Sequence, residues 1–179
     1  MINTLKLIFF SLVLLSSTLI FAQSEEQWKT LEQENYALSY PEDWTLDQNG
    51  LMGTELFLFS PLLSEVDDFK DNFSLMIQDL TGMEIDLEKY VEISVGQIKT
   101  MITDNNILKN ERIAKSDNTP IEFQRIEYTG KQGIYNLHLV QYYLVVDDIA
   151  YVLTLTCEIE SYEEHKEVGE KILQSFVLR

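Results

Sequence analysis

The sequence predicts an α+β fold, a mainly antiparallel β-sheet flanked by two helices. Three observations point there. Several runs alternate apolar and polar residues with period two, the mark of a strand with one face buried. Two stretches, from Leu87 and from Tyr162, switch instead to helical spacing. The runs follow one another as strands, a long helix, four strands and a terminal helix, and local hairpins give antiparallel pairing. Amphipathic helices must then lie on the sheet to hide their stripes.

Ahead of the fold stands MINTLKLIFFSLVLLSSTLIFAQS: one charge at Lys6, an apolar stretch from Leu7 to about Phe21, then small or polar residues around Ala22. That order describes a secretory signal peptide, expected to be cut after Ala22, so that residues 1–22 are removed and 23–179 form a single domain. The alternative, a retained anchor, asks a rather short apolar stretch to span a bilayer. No cysteine lies near the expected cut to take a lipid. The only cysteine is Cys157, so no internal disulfide can form and the exported chain depends on core packing.

The elements follow in order. SEEQWKTLEQEN is polar and acidic, with Trp28 and Leu31 isolated, and reads as a leading arm that pairs at an edge. In YALSY, residues Tyr36, Leu38 and Tyr40 share one side of a half-buried strand. Pro41 has no N–H for a ladder and ends it. PEDW reads as a turn with proline at its second position, and Trp44 as a plug over the sheet end. MGTELFLFSPL is an apolar strand stopped by Pro61, and NFSLMIQDL, residues 72–80, is another. The connection between them is long for a hairpin, and long loops are where function concentrates.

Leu87, Tyr90, Val91, Ser94, Ile98, Met101 and Ile102 make the inner stripe of the long helix, with Asp86 as N-cap and TDNN, residues 103–106, as its cap and turn. A strand from about Ile107 leads through SDNTP into a second strand. There Ile121, Phe123, Arg125 and Glu127 alternate with Glu122, Gln124, Ile126 and Tyr128, so both faces are mixed. After a turn near Gly130 and Gly133, IYNLHLVQYYLVV and IAYVLTLTC are joined at Asp147 and Asp148. An even-numbered loop centred on those two residues sets Leu144 opposite Tyr151, Tyr142 opposite Leu153, Val140 opposite Leu155 and His138 opposite Cys157. Ser161 and Glu164 have capping-box spacing before the last helix, whose inner stripe is Tyr162, His165, Val168, Ile172, Leu173 and Phe176.

Charge narrows the function classes. With 30 acidic residues against 13 basic the chain carries −17, and losing Lys6 makes it one unit more acidic. Such a surface repels phosphate backbones and anionic lipid heads, which argues against nucleic acid and against stable membrane association after cleavage. His138 and Cys157 are the one base-and-nucleophile pair available. A mid-strand thiol usually packs as a small hydrophobe, and no glycine-rich oxyanion loop lies near it. The chain has two histidines and no paired cysteines, which leaves no zinc pattern. Asp67, Asp68 and Asp71 cluster in EVDDFKDN but lack the spacing and central glycine of a calcium loop. Tyr142, Tyr143 and Tyr151 could line a ligand groove or simply pack the sheet faces. No catalytic, cofactor-binding or metal residue is assigned.

The quoted YALSYPEDW, the FSP at 59–61, DNFSLMI at 71–77, DLEKYV at 86–91, AYVLTLTC at 150–157 and the closing ILQSFVL together resemble the Mog1/PsbP-like superfamily. The closest likeness is to bacterial secreted PsbP-related proteins of unknown function, over nearly all of residues 28–178. The resemblance implies an antiparallel sheet flanked by helices, and binding or accessory roles rather than catalysis. Superfamily roles in GTPase release and in thylakoid photosystems do not transfer, because the shared residues are structural.

The expectation is therefore an exported protein, periplasmic or extracellular, with no enzymatic activity and no cofactor. It binds a protein or a small ligand, with Asp67, Asp68 and Asp71 marking a partner-binding loop. The alternatives are a hydrolase with a dispersed acidic or Cys157-based site, and an envelope carrier of a small apolar ligand.

Overall fold

Period-two alternation builds two sheets. The computed structural model describes residues 27–116 and 119–179. The expected signal segment, 1–22, and the centre of the SDNTP turn lie outside the described residues. The strands are β1 (Trp28–Glu32), β2 (Tyr36–Pro41), β3 (Thr45–Asp47), β4 (Leu56–Phe59), β5 (Asn72–Asp79), β6 (Thr103–Ser116), β7 (Thr119–Gln132), β8 (Tyr135–Val146), β9 (Ile149–Glu158) and β10 (Val177–Leu178). The helices are α1 (Leu87–Met101) and α2 (Tyr162–Ser175). Strands β3-β4-β5-β9-β8-β7-β6 make a seven-stranded sheet and β1-β2-β10 a smaller one. The pairings in both are antiparallel.

The β8–β9 hairpin has the register its turn dictates. Asp147 and Asp148 take φ of 51° and 60°, the left-handed pair of a two-residue hairpin turn, and His138 pairs with Cys157, Val140 with Leu155, Tyr142 with Leu153 and Leu144 with Tyr151. One face of the large sheet, including Leu56, Leu58, Phe73, Leu75, Leu153 and Leu155, packs with β2 of the small sheet and with Ile172, Leu173 and Phe176 in and just after α2. The other face, with Ile126, Tyr128, Tyr143 and Val152, packs against Val91 and Ile98 of α1. Burying each such side chain stabilises by about 1.5–3 kcal/mol. This is the α+β arrangement the sequence predicts.

Several local expectations are corrected. Pro41 sits first in its turn, not second, since its carbonyl accepts from Trp44 N (3.1 Å). Strand β2 is buried on both faces, since Ala37 is buried too, and past β10 its edge is continued by Ser175 Oγ, which accepts from Ser39 N at 2.8 Å. TDNN ends and caps the helix as expected, but as the first residues of β6 rather than as a separate turn. Helix α1 runs straight into β6 because Asn105 Nδ2 reaches back to the Ile102 carbonyl (2.8 Å), satisfying the helix end from within the strand. Met101 is 75% exposed and outside the inner stripe. The capping box at Ser161 does not form, because Ser161 has helical dihedrals and its Oγ donates to Glu158 O instead. By contrast Asp86 caps α1 through Lys89 N (2.8 Å). The two-residue β10, which pairs with β2, was not foreseen.

Helix α2 lies unusually close to the sheet at Gly169. A β-carbon there would stand 2.3 Å from Leu155 Cδ2, so only glycine permits this approach. The closeness sets the spacing between α2 and the sheet beside the charged cleft described next.

Candidate functional site

The loop between β4 and β5, residues 60–71, is held at both ends of its acidic run. Asp67 Oδ2 accepts from Leu63 N (2.9 Å) and Oδ1 from Phe69 N (3.1 Å), so this carboxylate folds the loop tip. Asp68 is exposed, whereas Asp71 is buried. Asp71 Oδ1 accepts from Glu158 N (3.0 Å), and its Oδ2 lies 2.7 Å from His165 Nδ1. Those last two atoms stand at ion-pair distance without ideal hydrogen-bond geometry. The Asp71 contact raises the His165 pKa above its ordinary value against the opposing effect of burial. The three aspartates are thus not one surface: Asp71 staples the loop to α2 and β9. Asp67 shapes the loop, and only Asp68 stands free of the fold. The loop's outward apolar residues are Leu62, Leu63 and Val66, the last 91% exposed.

The thiol and the imidazole that face each other in the register do not work together. Cys157 is fully buried; burial, then the Asp71 charge and hydrogen bond, push its pKa far above the ordinary thiol range. A thiolate nucleophile is disfavoured there. His138 instead stacks on Tyr162, ring centroids 3.5 Å apart and nearly parallel, while its Nε2 donates to Glu127 Oε1 at 3.0 Å. Burial lowers the His138 pKa, and the pull of Glu127 in the other direction does not restore it.

Glu127 belongs to a charged cleft between β6, β7 and α2, with a volume of about 640 Å³. At its floor the Arg125 Nη2 bridges two carboxylates, Glu127 Oε2 at 2.8 Å and Glu170 Oε1 at 2.6 Å. Lys109 Nζ adds a second cation to Glu127 (2.9 Å), and Tyr142 Oη donates to Glu170 Oε2 (2.8 Å). Burial pushes the Glu127 carboxyl up, yet the bonds from Lys109 and His138 and the nearby positive charges hold it below the ordinary carboxylate range. A carboxylate so held is a poor proton donor at neutral pH. The signal for this cluster was present in the alternation: Arg125 and Glu127 share the strand face of Phe123, which is buried in the main core. Their partner Glu170 comes from a distant helix, which strand periodicity does not reveal.

Tyr142 and Tyr151 pack on the α2 side of the sheet and Tyr143 on the α1 side, so the three do not line one groove. No group of three or more His, Cys, Asp or Glu able to hold a metal ion occurs among the described residues.

Neither a family model nor a curated protein matches the chain. Solved structures do. The cyanobacterial PsbP (CyanoP) of Synechocystis sp. PCC 6803 superposes with a TM-score of 0.62 at 13% identity, covering 88% of this chain and 96% of that one. This chain has the Mog1/PsbP-like fold. LpqN of Mycobacterium tuberculosis, a protein involved in cell envelope biogenesis, gives 0.64 at 12% identity over 86% of this chain and 91% of its own. PA94 of Pseudomonas aeruginosa, of unknown function, gives 0.60 at 14% identity over 85% and 97%. At such identities the likeness carries the architecture, and a function must come from this chain's own residues.

Proposed function

We propose that this protein is an exported, non-enzymatic accessory factor, periplasmic or extracellular, that binds another protein through the β4–β5 loop. The observation that carries the reading is the loop itself. Leu62, Leu63 and Val66 are 44%, 49% and 91% exposed, on a segment pinned by Asp67 and by the Asp71–His165 ion pair. Exposed aliphatic side chains on an anchored loop cost solubility unless a partner covers them. Asp68 and Glu65 beside them suit a partner with cationic groups at the rim of the contact. The secretory-type start of the chain and the envelope role of LpqN favour work outside the cytoplasm. No helix among the described residues is long and apolar enough to cross a membrane.

The hydrolase alternative finds little in the geometry. The thiol is sealed, and Glu127 and Glu170 are paired with Arg125 and Lys109.

The test compares cross-linked complexes recovered from envelope extracts by the native protein and by a Leu63→Asp/Val66→Asp variant of unchanged melting temperature. Asp71 is left intact because it is buried against His165 and Glu158 N. The reading expects a partner captured by the native protein to disappear with the variant. Equal recovery by both discards the loop as the contact surface.

A further inference from the structure

Helix α1 does not fill the sheet face it covers. Between it and strands β5, β7, β8 and β9 remains a pocket of about 240 Å³, whose walls include Met76, Ile98, Met101, Tyr128, Tyr143 and Val152. Not one charged residue lines it, although charged residues make up 24% of the chain. An ion entering would lose its hydration and meet no counter-charge, so the occupant must be neutral.

Size narrows the class further. An apolar cavity of roughly 150 Å³ holds a benzene molecule. A pocket of 240 Å³ therefore takes a single ring or small fused ring with a short substituent, and is too small for a peptide helix. The lining suits a ring. Tyr90 and Tyr143 lie with centroids 6.1 Å apart, tilted at 57°, leaving edges and faces for a third aromatic group. Met76 and Met101, 38% and 75% exposed, bring two thioethers to the rim, where sulfur packs well against ring edges.

A short polar rail crosses the apolar wall. Tyr143 Oη donates to Gln141 Oε1, and Gln141 Nε2 donates to Thr154 Oγ1 at 3.1 Å. That leaves Gln141 a second amide hydrogen, enough to fix one hydroxyl or carbonyl oxygen of a ligand, beside the Tyr143 oxygen that Ser94 also approaches. Ser94 Oγ donates to Tyr90 O at 2.9 Å.

We propose that the pocket beneath α1 is a binding site for a neutral aromatic small molecule carrying one hydrogen-bonding substituent. The site lies on the sheet face opposite α2 and does not depend on the loop contact proposed above.

Indole and p-cresol are the probes, with benzoate as the charged control, each titrated into ¹⁵N-labelled protein. The expected result is saturable shifts confined to α1, β5, β7, β8 and β9, with Kd below about 1 mM. Nuclear Overhauser contacts should join the ring protons to the Met76 and Met101 methyl groups, and benzoate should bind at least tenfold more weakly. Gln97 lines the rim and is exposed, so Gln97→Trp should leave melting unchanged and weaken indole at least tenfold by covering the mouth. The proposal is overturned by shifts that do not saturate, by ring contacts that map elsewhere, or by benzoate binding as well as indole. Undiminished indole binding in a folded Gln97→Trp protein, with no ring contact to either methionine, overturns it equally.

Discussion

Replacing Asp71 with asparagine tests the ion pair that anchors the loop. The substitution keeps the shape of the side chain and its acceptor for Glu158 N, and removes only the charge facing His165. Both partners are buried, with side chains 4% and 11% exposed and 2.7 Å between the charged atoms. Breaking such a pair by deleting one partner costs about 3–5 kcal/mol, because the other charge is stranded. His165 can escape by losing its proton, so the loss must itself depend on pH. Its folded pKa is raised above the unfolded value near 6.5. The folded state therefore holds the extra proton, and the stability it brings is complete below about 6.5 and disappears as pH rises through the raised folded value. The native protein should lose stability on that rise, and Asp71→Asn should not. The difference between them should be about 3–4 kcal/mol at pH 6 and shrink to about 1 kcal/mol, the worth of neutral hydrogen bonds, once His165 is deprotonated in both. Urea unfolding followed by tryptophan fluorescence reads this directly, since the buried Trp44 ring meets His165 edge-on at 6.0 Å. A difference that stays constant from pH 6 to 9, or one below about 1 kcal/mol at pH 6, refutes a charged His165–Asp71 pair.

His138 should show the opposite sign. Its folded pKa is lowered, so its contribution is present above about 6.5 and lost as pH falls through the lowered value; His138→Gln should flatten stability in that acidic window alone, in the same urea assay. Cys157 should not react with a thiol reagent in the native protein and should react at once in denaturant, monitored by release of the chromophore; rapid native labelling would contradict a sealed thiol. Gly169→Ala should destabilise by about 1–2 kcal/mol in thermal or urea melts, because overpacking against the fully buried Leu155 outweighs the gain in helix propensity.

What the sequence could show depended on how far apart the interacting residues lie in the chain. The β8–β9 register was legible because a two-residue turn at Asp147 and Asp148 leaves no freedom in the pairing, and side-chain alternation does the rest. The same reasoning put His138 across from Cys157, yet pairing of α-carbons is not chemical contact. The imidazole turned to Glu127 and Tyr162, and the thiol to Asp71. Asp71 was read as one acid in a surface cluster because its neighbours Asp67 and Asp68 are; only the approach of α2 makes it the partner of His165. Capping signals divided for a physical reason. Asp86 precedes a helix with nothing else to satisfy its first N–H groups and caps it, whereas Ser161 already turns out of β9 and spends its hydroxyl on Glu158.

The charged face of β7 shows the same limit from the other side. Arg125 and Glu127 stood out as charges on a strand face shared with Phe123, which the alternation alone leaves without a reason. The fold supplies one: Glu170 and Tyr142 complete a network in which Glu127 and Glu170 each have a cation, while Arg125 Nε stays buried without a hydrogen-bond partner. Its buried charges are held by one another. The pocket under α1 differs, with no charge in its walls and an amide hydrogen left over on Gln141. The charged network fastens α2 to the sheet, whereas the pocket under α1 offers a neutral ligand an apolar wall and a short polar rail. Ligand binding should therefore stabilise the protein through α1 while leaving the α2 side, with its two histidine titrations, unchanged.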